Sequence, residues 1–329
     1  MNDFIDEIFR IKTDDDFEKC ALKIFRFQVE NINVYKNYVN YLGININKIK
    51  SISDIPFLPI EFFKTHQIVY NPNGEKILTV FKSSGTTGMV SSCHLVKDIS
   101  IYEKSFVSGF RQFYGDEKDY CILALLPNYL EKGDSSLVYM VNRLIKNSCN
   151  AASGFYLYDY KKLANTIASR ESLGEKIFLI GVTFALWEFA EQQPVHLKNT
   201  IVMETGGMKG RKKEIVRDEL HQILKSKLDV SVIHAEYGMT ELLSQAYSQG
   251  NNNFKTPAWM KILVRNFNDP FLINPVGVSG GINVIDLANI YSCAFIETKD
   301  IGKLNSDGTF EVLGRFDNSD IRGCNLLVS

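Results

Sequence analysis

Apolar residues recur at three- and four-residue steps through TDDDFEKCALKIFRFQVE (13–30), behind an acidic first turn, and predict a helix there within a helical N-terminus. DIPFLPIEFF (54–63) is broken by Pro56 and Pro59 and reads as an extended connector. Beyond it, apolar runs and amphipathic stretches alternate. KILTVF (76–81) reads as a strand leading to a small-residue loop, and ISIYEKSFVSGFRQF (99–113) as a helix. CILALL (121–126) is a buried strand, and SSLVYMVNRLI (135–145) a helix. IFLIGVTFALWEFA (177–190) reads as a strand, a glycine turn and a helix. NTIVMET (199–205) and SVIHAEY (231–237) are strands, with KKEIVRDELHQILKS (212–226) as the amphipathic helix between them. This rhythm predicts an α/β fold, a mostly parallel sheet covered by helices, with ligand loops at the strand C-termini. From residue 259 the rhythm changes. MKILVR, GGINVIDL, SCAFIETKD and GTFEVLGR are β-like runs divided by turn chemistry such as NSDG, which predicts a smaller C-terminal β-subdomain. No Pro- or Ser-rich linker separates residues 1–258 from 259–329, so the two are expected to pack as one continuous unit.

Composition narrows the class. The 329 residues are 45% hydrophobic and 12% aromatic, enough for a sizeable core, and the net charge of −1 leaves no nucleic-acid footprint. Six cysteines at wide, irregular spacings, with no CxxC and no apolar leader, point to a reducing cytoplasm and no structural zinc. Residues 177–190, the most apolar stretch, are too few for a membrane span and include Glu188. Cys20, Cys121, Cys149 and Cys293 fall within apolar patterns and read as core, while Cys93 lies near the small-residue loop. His66, His94, His196 and His221 show no metal-ligand spacing, and His234 reads as a strand-end histidine.

Three stretches carry candidate chemistry. FKSSGTTGMVSS (81–92) sets Ser83, Ser84, Gly85, Thr86, Thr87 and Gly88 between a predicted strand and a predicted helix. Its glycines permit close backbone approach and its hydroxyls can donate to phosphate oxygens, but no Gly-Lys-Ser/Thr follows, so it is not a Walker A loop. On pattern alone a bland loop and a phosphate cradle stand level. HAEYGMTELLSQAYS (234–248) gathers Tyr237, Gly238, Thr240 and Glu241 at a strand end, where an aromatic ring, a hydroxyl and a carboxylate suit a base, a phosphate and Mg²⁺. The plain alternative is a strand end followed by a helix that Thr240 caps. The last stretch, IETKDIGKLNSDGTFEVLGRFDNSDIRGCNLLVS, offers Asp300 to a ribose, with Arg315 near a second turn. Singly, these are a turn former and a solvated charge.

In this order the three stretches resemble the adenylate-forming superfamily: SSGTTG its phosphate loop, YGMTE its Tyr-Gly-x-Thr-Glu motif, TKD and GRFDNSDIRG its ribose-binding Asp and hinge region. FLPIEFFKTH, LPNYLEKGDSSLVYM, METGGMKGRKKEI and EYGMTELLSQAYS together resemble the LuxE-type acyl-protein synthetases, the fatty-acid-activating component of bacterial fatty acid reductase complexes. The resemblance implies ATP and Mg²⁺ as cofactors. It implies Ser83 to Gly88 around the ATP phosphates and Gly206, Gly207 and Met208 along the adenine pocket, with Tyr237 against the base and Gly238 beside it. Thr240 and Glu241 would serve the α-phosphate and Mg²⁺, and Asp300 the ribose, with Arg315 beside it.

The implied reaction is adenylation of a fatty or other hydrophobic carboxylic acid, with Cys324 then taking the acyl group as a thioester for a partner reductase in a heteromeric complex. Two departures from the superfamily stand out. MVSSCH follows the last loop glycine where a lysine is usual, and the chain stops where the superfamily continues into a mobile domain with a catalytic lysine. Adenylation then dispenses with that lysine or recruits Lys82 or Lys303. The rival readings are an acyl- or aryl-CoA ligase resembling phenylacetate-CoA ligase, and a non-catalytic subunit of an acyl-transfer complex.

Overall fold

The computed structural model describes residues 2–83, 90–127, 133–193, 195–206 and 217–316. Ser84, Gly85, Thr86, Thr87, Gly88, Gly207, Met208 and Cys324 therefore lie outside the described residues.

Fourteen strands are described: β1 Leu58–Pro59, β2 Thr79–Lys82, β3 Cys93–Val96, β4 Tyr120–Leu125, β5 Gly154–Phe155, β6 Lys176–Val182 and β7 Thr200–Thr205, then β8 His234–Tyr237, β9 Ala246–Ser248, β10 Phe254–Lys255, β11 Met260–Arg265, β12 Gly280–Asp286, β13 Phe295–Leu304 and β14 Phe310–Arg315. Twelve form one sheet, in the order β11-β12-β13-β14-β10-β9-β8-β7-β6-β4-β5, with β1 alongside β13. From β5 to β8 every pairing is parallel. From β8 to β11 every pairing is antiparallel, so the C-terminal β-runs continue the sheet of the α/β body. The expected α/β architecture is the one observed.

Burial explains the two halves. All six residues of β4 and six of seven in β6 are buried, the continuous apolar signature of a parallel strand covered on both faces. Covering helices include Ile99–Tyr114, Ser136–Ser148 and Thr183–Gln192. The helix Asp14–Asn31 starts with a capping box between Thr13 and Asp16 and three aspartates in its first turn, which suits the positive end of its dipole. Its buried Gln28 donates to the Asn289 and Ile290 carbonyls (3.0 and 2.9 Å) and accepts from the Ala294 N–H (3.0 Å), seating the N-terminus on the antiparallel half.

Four local expectations need correction. Gly181 is not a turn: it lies inside β6, and the next helix begins at Thr183. Glycine is required there because a Cβ would sit 2.9 Å from Leu186 Cγ and 3.0 Å from Leu125 Cβ. The element that follows SSGTTG is not a helix but β3, antiparallel to β2, so the stretch lies between the two strands of a hairpin. Residues 238–245 form no helix for Thr240 to cap but turn back into β9. Cys149 is exposed rather than core, in the left-handed position (φ 52) that ends its helix.

Candidate functional site

The parallel strands end beside the antiparallel half, and the described members of the three stretches meet at that junction. Strand β13 places Asp300 opposite Arg315 of β14. Alternation along β8 turns Tyr237 toward the same side, and its hydroxyl donates to Asp300 Oδ2 at 2.8 Å. The Tyr237 ring is buried edge-on against Phe310 and Phe254, with centroids 5.5 and 6.1 Å away, so the hydroxyl is held in place. Burial raises the Asp300 carboxyl above its usual range, against the opposing pull of the Tyr237 hydroxyl and the Arg315 charge. Arg315 Nε lies 3.9 Å from Asp300 Oδ1 on a side chain that is 66% exposed, a loose pair worth little to stability but free to meet an anion.

Beneath Asp300, Arg265 is a buried guanidinium that motif reasoning overlooked. Its Nη1 donates to Ile282 O and Asn283 Oδ1 (3.0 and 2.9 Å), and its Nη2 to Thr298 O (2.7 Å). Thr298 Oγ1 in turn accepts from the Asp300 N–H at 3.1 Å, so the arginine fixes the backbone that presents the carboxylate.

The hairpin reaches the same place. Ser83 and Ser92 face each other across its neck: the Ser83 N–H donates to Ser92 O (3.1 Å), and the Ser92 N–H to Ser83 Oγ (2.9 Å). The Ser92 side chain also hydrogen-bonds the Glu241 carboxylate, whose acidity burial weakens and whose charge senses Arg315 and Asp300. Glu241 makes no ion pair among the described residues. His94, two positions on in β3, is fully buried. Its Nδ1 lies 2.8 Å from Thr240 O and its Nε2 3.0 Å from Asn289 Oδ1. Asn289 Nδ2 donates to the Glu241 and Cys293 carbonyls at 2.8 and 3.0 Å. Burial pushes His94 down to about 4, while the two hydrogen bonds pull the other way. The histidine therefore acts as a bolt between the hairpin and the Tyr-Gly-Met-Thr-Glu turn. A lone histidine without ligand spacing gives no hint of this in the sequence, because its partners lie far away in the chain.

Gly206 directly follows β7, exposed and with φ 75, and its carbonyl accepts from the Thr183 hydroxyl. Lys82 and Lys303 are both engaged, with Asp134 and Glu311, each at 2.9 Å. His234, at the start of β8, meets the Tyr114 hydroxyl at 3.2 Å, as a satisfied strand-end histidine does. A surface basin of about 680 Å³ beside β5, lined by Phe155, Lys162 and Arg170 among others, contains none of the candidate residues.

The site thus offers a carboxylate with a tethered tyrosine, an exposed arginine, a second buried carboxylate and a hairpin neck. No group of three or more His, Cys, Asp or Glu side chains suited to a metal occurs among the described residues. A single uncompensated carboxylate still fits Mg²⁺, which is commonly held by one or two carboxylates together with substrate phosphates and water. No described helix is long and apolar enough to cross a membrane.

No curated protein gave a match. Among solved structures, ATP-bound MatB from Rhodopseudomonas palustris is 18% identical with a TM-score of 0.53, over 72% of this chain and 47% of that one. An open 2-hydroxyisobutyryl-CoA ligase in complex with 2-HIB-AMP and CoA is 11% identical with a TM-score of 0.65, over 94% and 72%. O-succinylbenzoate coenzyme A synthetase (MenE) from Bacillus subtilis, in complex with AMP, is 18% identical with a TM-score of 0.52, over 74% and 50%. The chain spans about half the length of the MatB structures it resembles. At these identities the likeness establishes the fold, that of adenylate-forming ligases. The family model for acyl-protein synthetase, LuxE, matches residues 11–329, and the chain accordingly belongs to the LuxE acyl-protein synthetase family.

Proposed function

We propose that the protein uses ATP to activate a carboxylic acid, fatty or otherwise hydrophobic, as an acyl-adenylate, and then passes the acyl group to a thiol. The observation that carries this reading is the junction itself: the hairpin neck, the 240–241 turn, Asp300 and Arg315 share one place. Asp300 would take the ribose hydroxyls, steadied by Tyr237, and Arg315 would lie beside them. Ser83 to Gly88 would surround the phosphates, Gly206 to Met208 and Gly238 the base, and Thr240 the α-phosphate. Glu241 would hold Mg²⁺, which supplies charge neutralisation at the phosphates when bound.

In the first step an acid oxygen bonds to the α-phosphorus as the bond to the β-phosphate oxygen breaks, and pyrophosphate leaves. Such a step needs mainly alignment and preset charge, which a bolted hairpin and a tethered carboxylate provide. In the second step the Cys324 thiolate attacks the acyl carbon and AMP departs, leaving a thioester for a partner reductase. Residues 1–258 and 259–329 would serve as one unit around this site.

Acid-dependent ATP–pyrophosphate exchange tests the first step. Cys324→Ser should exchange at the parental rate yet retain no acyl label; labelling at the parental level would remove Cys324 from the mechanism. Acyl-CoA formation at the same rate would favour CoA as acceptor instead, the chemistry named for the structurally similar CoA ligases.

A further inference from the structure

At one end of the sheet, β5 pairs with β4 on one side and with no described strand on the other. The register sets Leu123 beside Gly154 and Ala124 beside Phe155, and the Tyr156 N–H donates to Ala124 O at 2.9 Å. Residues of a parallel strand bond alternately to the two sides, so the N–H and C=O of Phe155 point away from β4. The basin of about 680 Å³ lies at this edge. It is lined by residues 151–156 and by Lys162, Asn165, Thr166 and Ser169, which recur at three- and four-residue steps on one face of helix Tyr160–Ser172. The basin is therefore a trough between an open strand edge and a helix. Tyr156 fastens its two sides, with its hydroxyl donating to Ala152 O at 2.9 Å and lying 3.3 Å from Thr166 Oγ1.

Charge in the trough is one-sided. Lys161, Lys162 and Arg170 line it against a single carboxylate, Asp159. That carboxylate caps the helix, accepting from the Lys162 N–H at 3.0 Å, and Arg170 pairs with Glu175 at 3.2 Å. Lys161 and Lys162 are exposed and have no ion-pair partner among the described residues. Lys162 Nζ lies 5.7 Å from the centroid of the Tyr156 ring, which places this charge over the strand side of the trough. An open strand edge is a template for any extended chain, and lysines beside it disfavour neutral and basic ones.

We propose that β5 is a docking edge for an extended acidic segment of another protein, which adds a strand beside Phe155 and sets its carboxylates against Lys161 and Lys162. The inference is independent of the adenylation reading, since none of the candidate nucleotide-binding residues lines the trough. Main-chain pairing supplies the affinity in such a mode, and the lysines select the partner. Side chains of an added strand alternate between faces, so carboxylates two residues apart would meet the same lysine-bearing wall.

The probe is a fluorescent heptapeptide in which glutamate alternates with valine or threonine, titrated onto the full chain at low salt and read by anisotropy. Its two controls are the lysine counterpart and a version N-methylated throughout, which has no N–H to donate. The acidic peptide should bind about tenfold more tightly than either. Lys161→Glu together with Lys162→Glu should weaken it about tenfold and leave the melting temperature unchanged, since both side chains are exposed. Amide exchange at Phe155 should slow when the peptide is bound, which contact with the lysines alone does not produce. No binding at about 1 mM, equal binding of the N-methylated peptide, or an unaltered Phe155 amide in the bound state overturns strand docking. Full competition by inorganic phosphate at constant ionic strength would assign the trough to free anions and overturn it as well.

Discussion

Two carboxyl groups on separate strands of the one sheet illustrate how environment assigns roles at the level of single residues. Asp300 keeps a hydroxyl partner and a nearby guanidinium, whereas burial lifts Glu236 to about 7. Replacing Asp300 with Asn would keep the shape and remove the charge; ATP affinity, read by calorimetry, should fall by about tenfold. For Glu236, the folded value lies above the ordinary 4.5, so the native state holds the proton more tightly than the unfolded chain does. Its contribution is whole below pH 4.5 and is lost as the pH rises through 7. Glu236→Gln should therefore match the parent near pH 4.5 and exceed it by up to about 3 kcal/mol at pH 8. Urea midpoints at pH 5 and pH 8 measure this, and a gain that is the same at both would show that the carboxyl is not strained.

Strands and helices differed in how plainly they could be read. CILALL and IFLI are apolar throughout because both faces are covered, and their strands were legible at once. Strand β3 was not: CHLV buries alternate residues against one side only and follows a polar loop, so its period is too short to register. The Tyr237–Asp300 pairing was foreseeable as a convergence of motifs, since each motif carries its own local wording. Glu236, His94 and Arg265 were not foreseeable, because their meaning lies in partners far away in the chain. Arg265 also shows how an element can depend on a glycine. A Cβ at Gly281 of β12 would lie 2.6 Å from Arg265 Nη1, so the strand leaves space for the guanidinium to cross it. Gly281→Ala should cost about 2 kcal/mol and loosen Thr298 and Asp300, lowering both the melting temperature and the affinity for ATP.

Across the whole molecule, distant segments are held together by few polar contacts. His94 joins the hairpin to the Thr240 turn and, through Asn289, to the chain beside β13. His94→Phe would strand in the interior the acceptor that the neutral ring's single N–H serves; about 2–4 kcal/mol of stability should be lost, and pyrophosphate exchange should fall more steeply than acid binding. The placement of β1 extends this dependence in time. Leu58 pairs in parallel with Ile296, and among the described residues Gln28 bonds through its side chain to Asn289, Ile290 and Ala294. A ribosome delivers those partners last, so the N-terminal helices must wait through most of synthesis with their apolar faces uncovered. Nascent chains of this protein are accordingly expected to be clients of holding chaperones until β13 emerges.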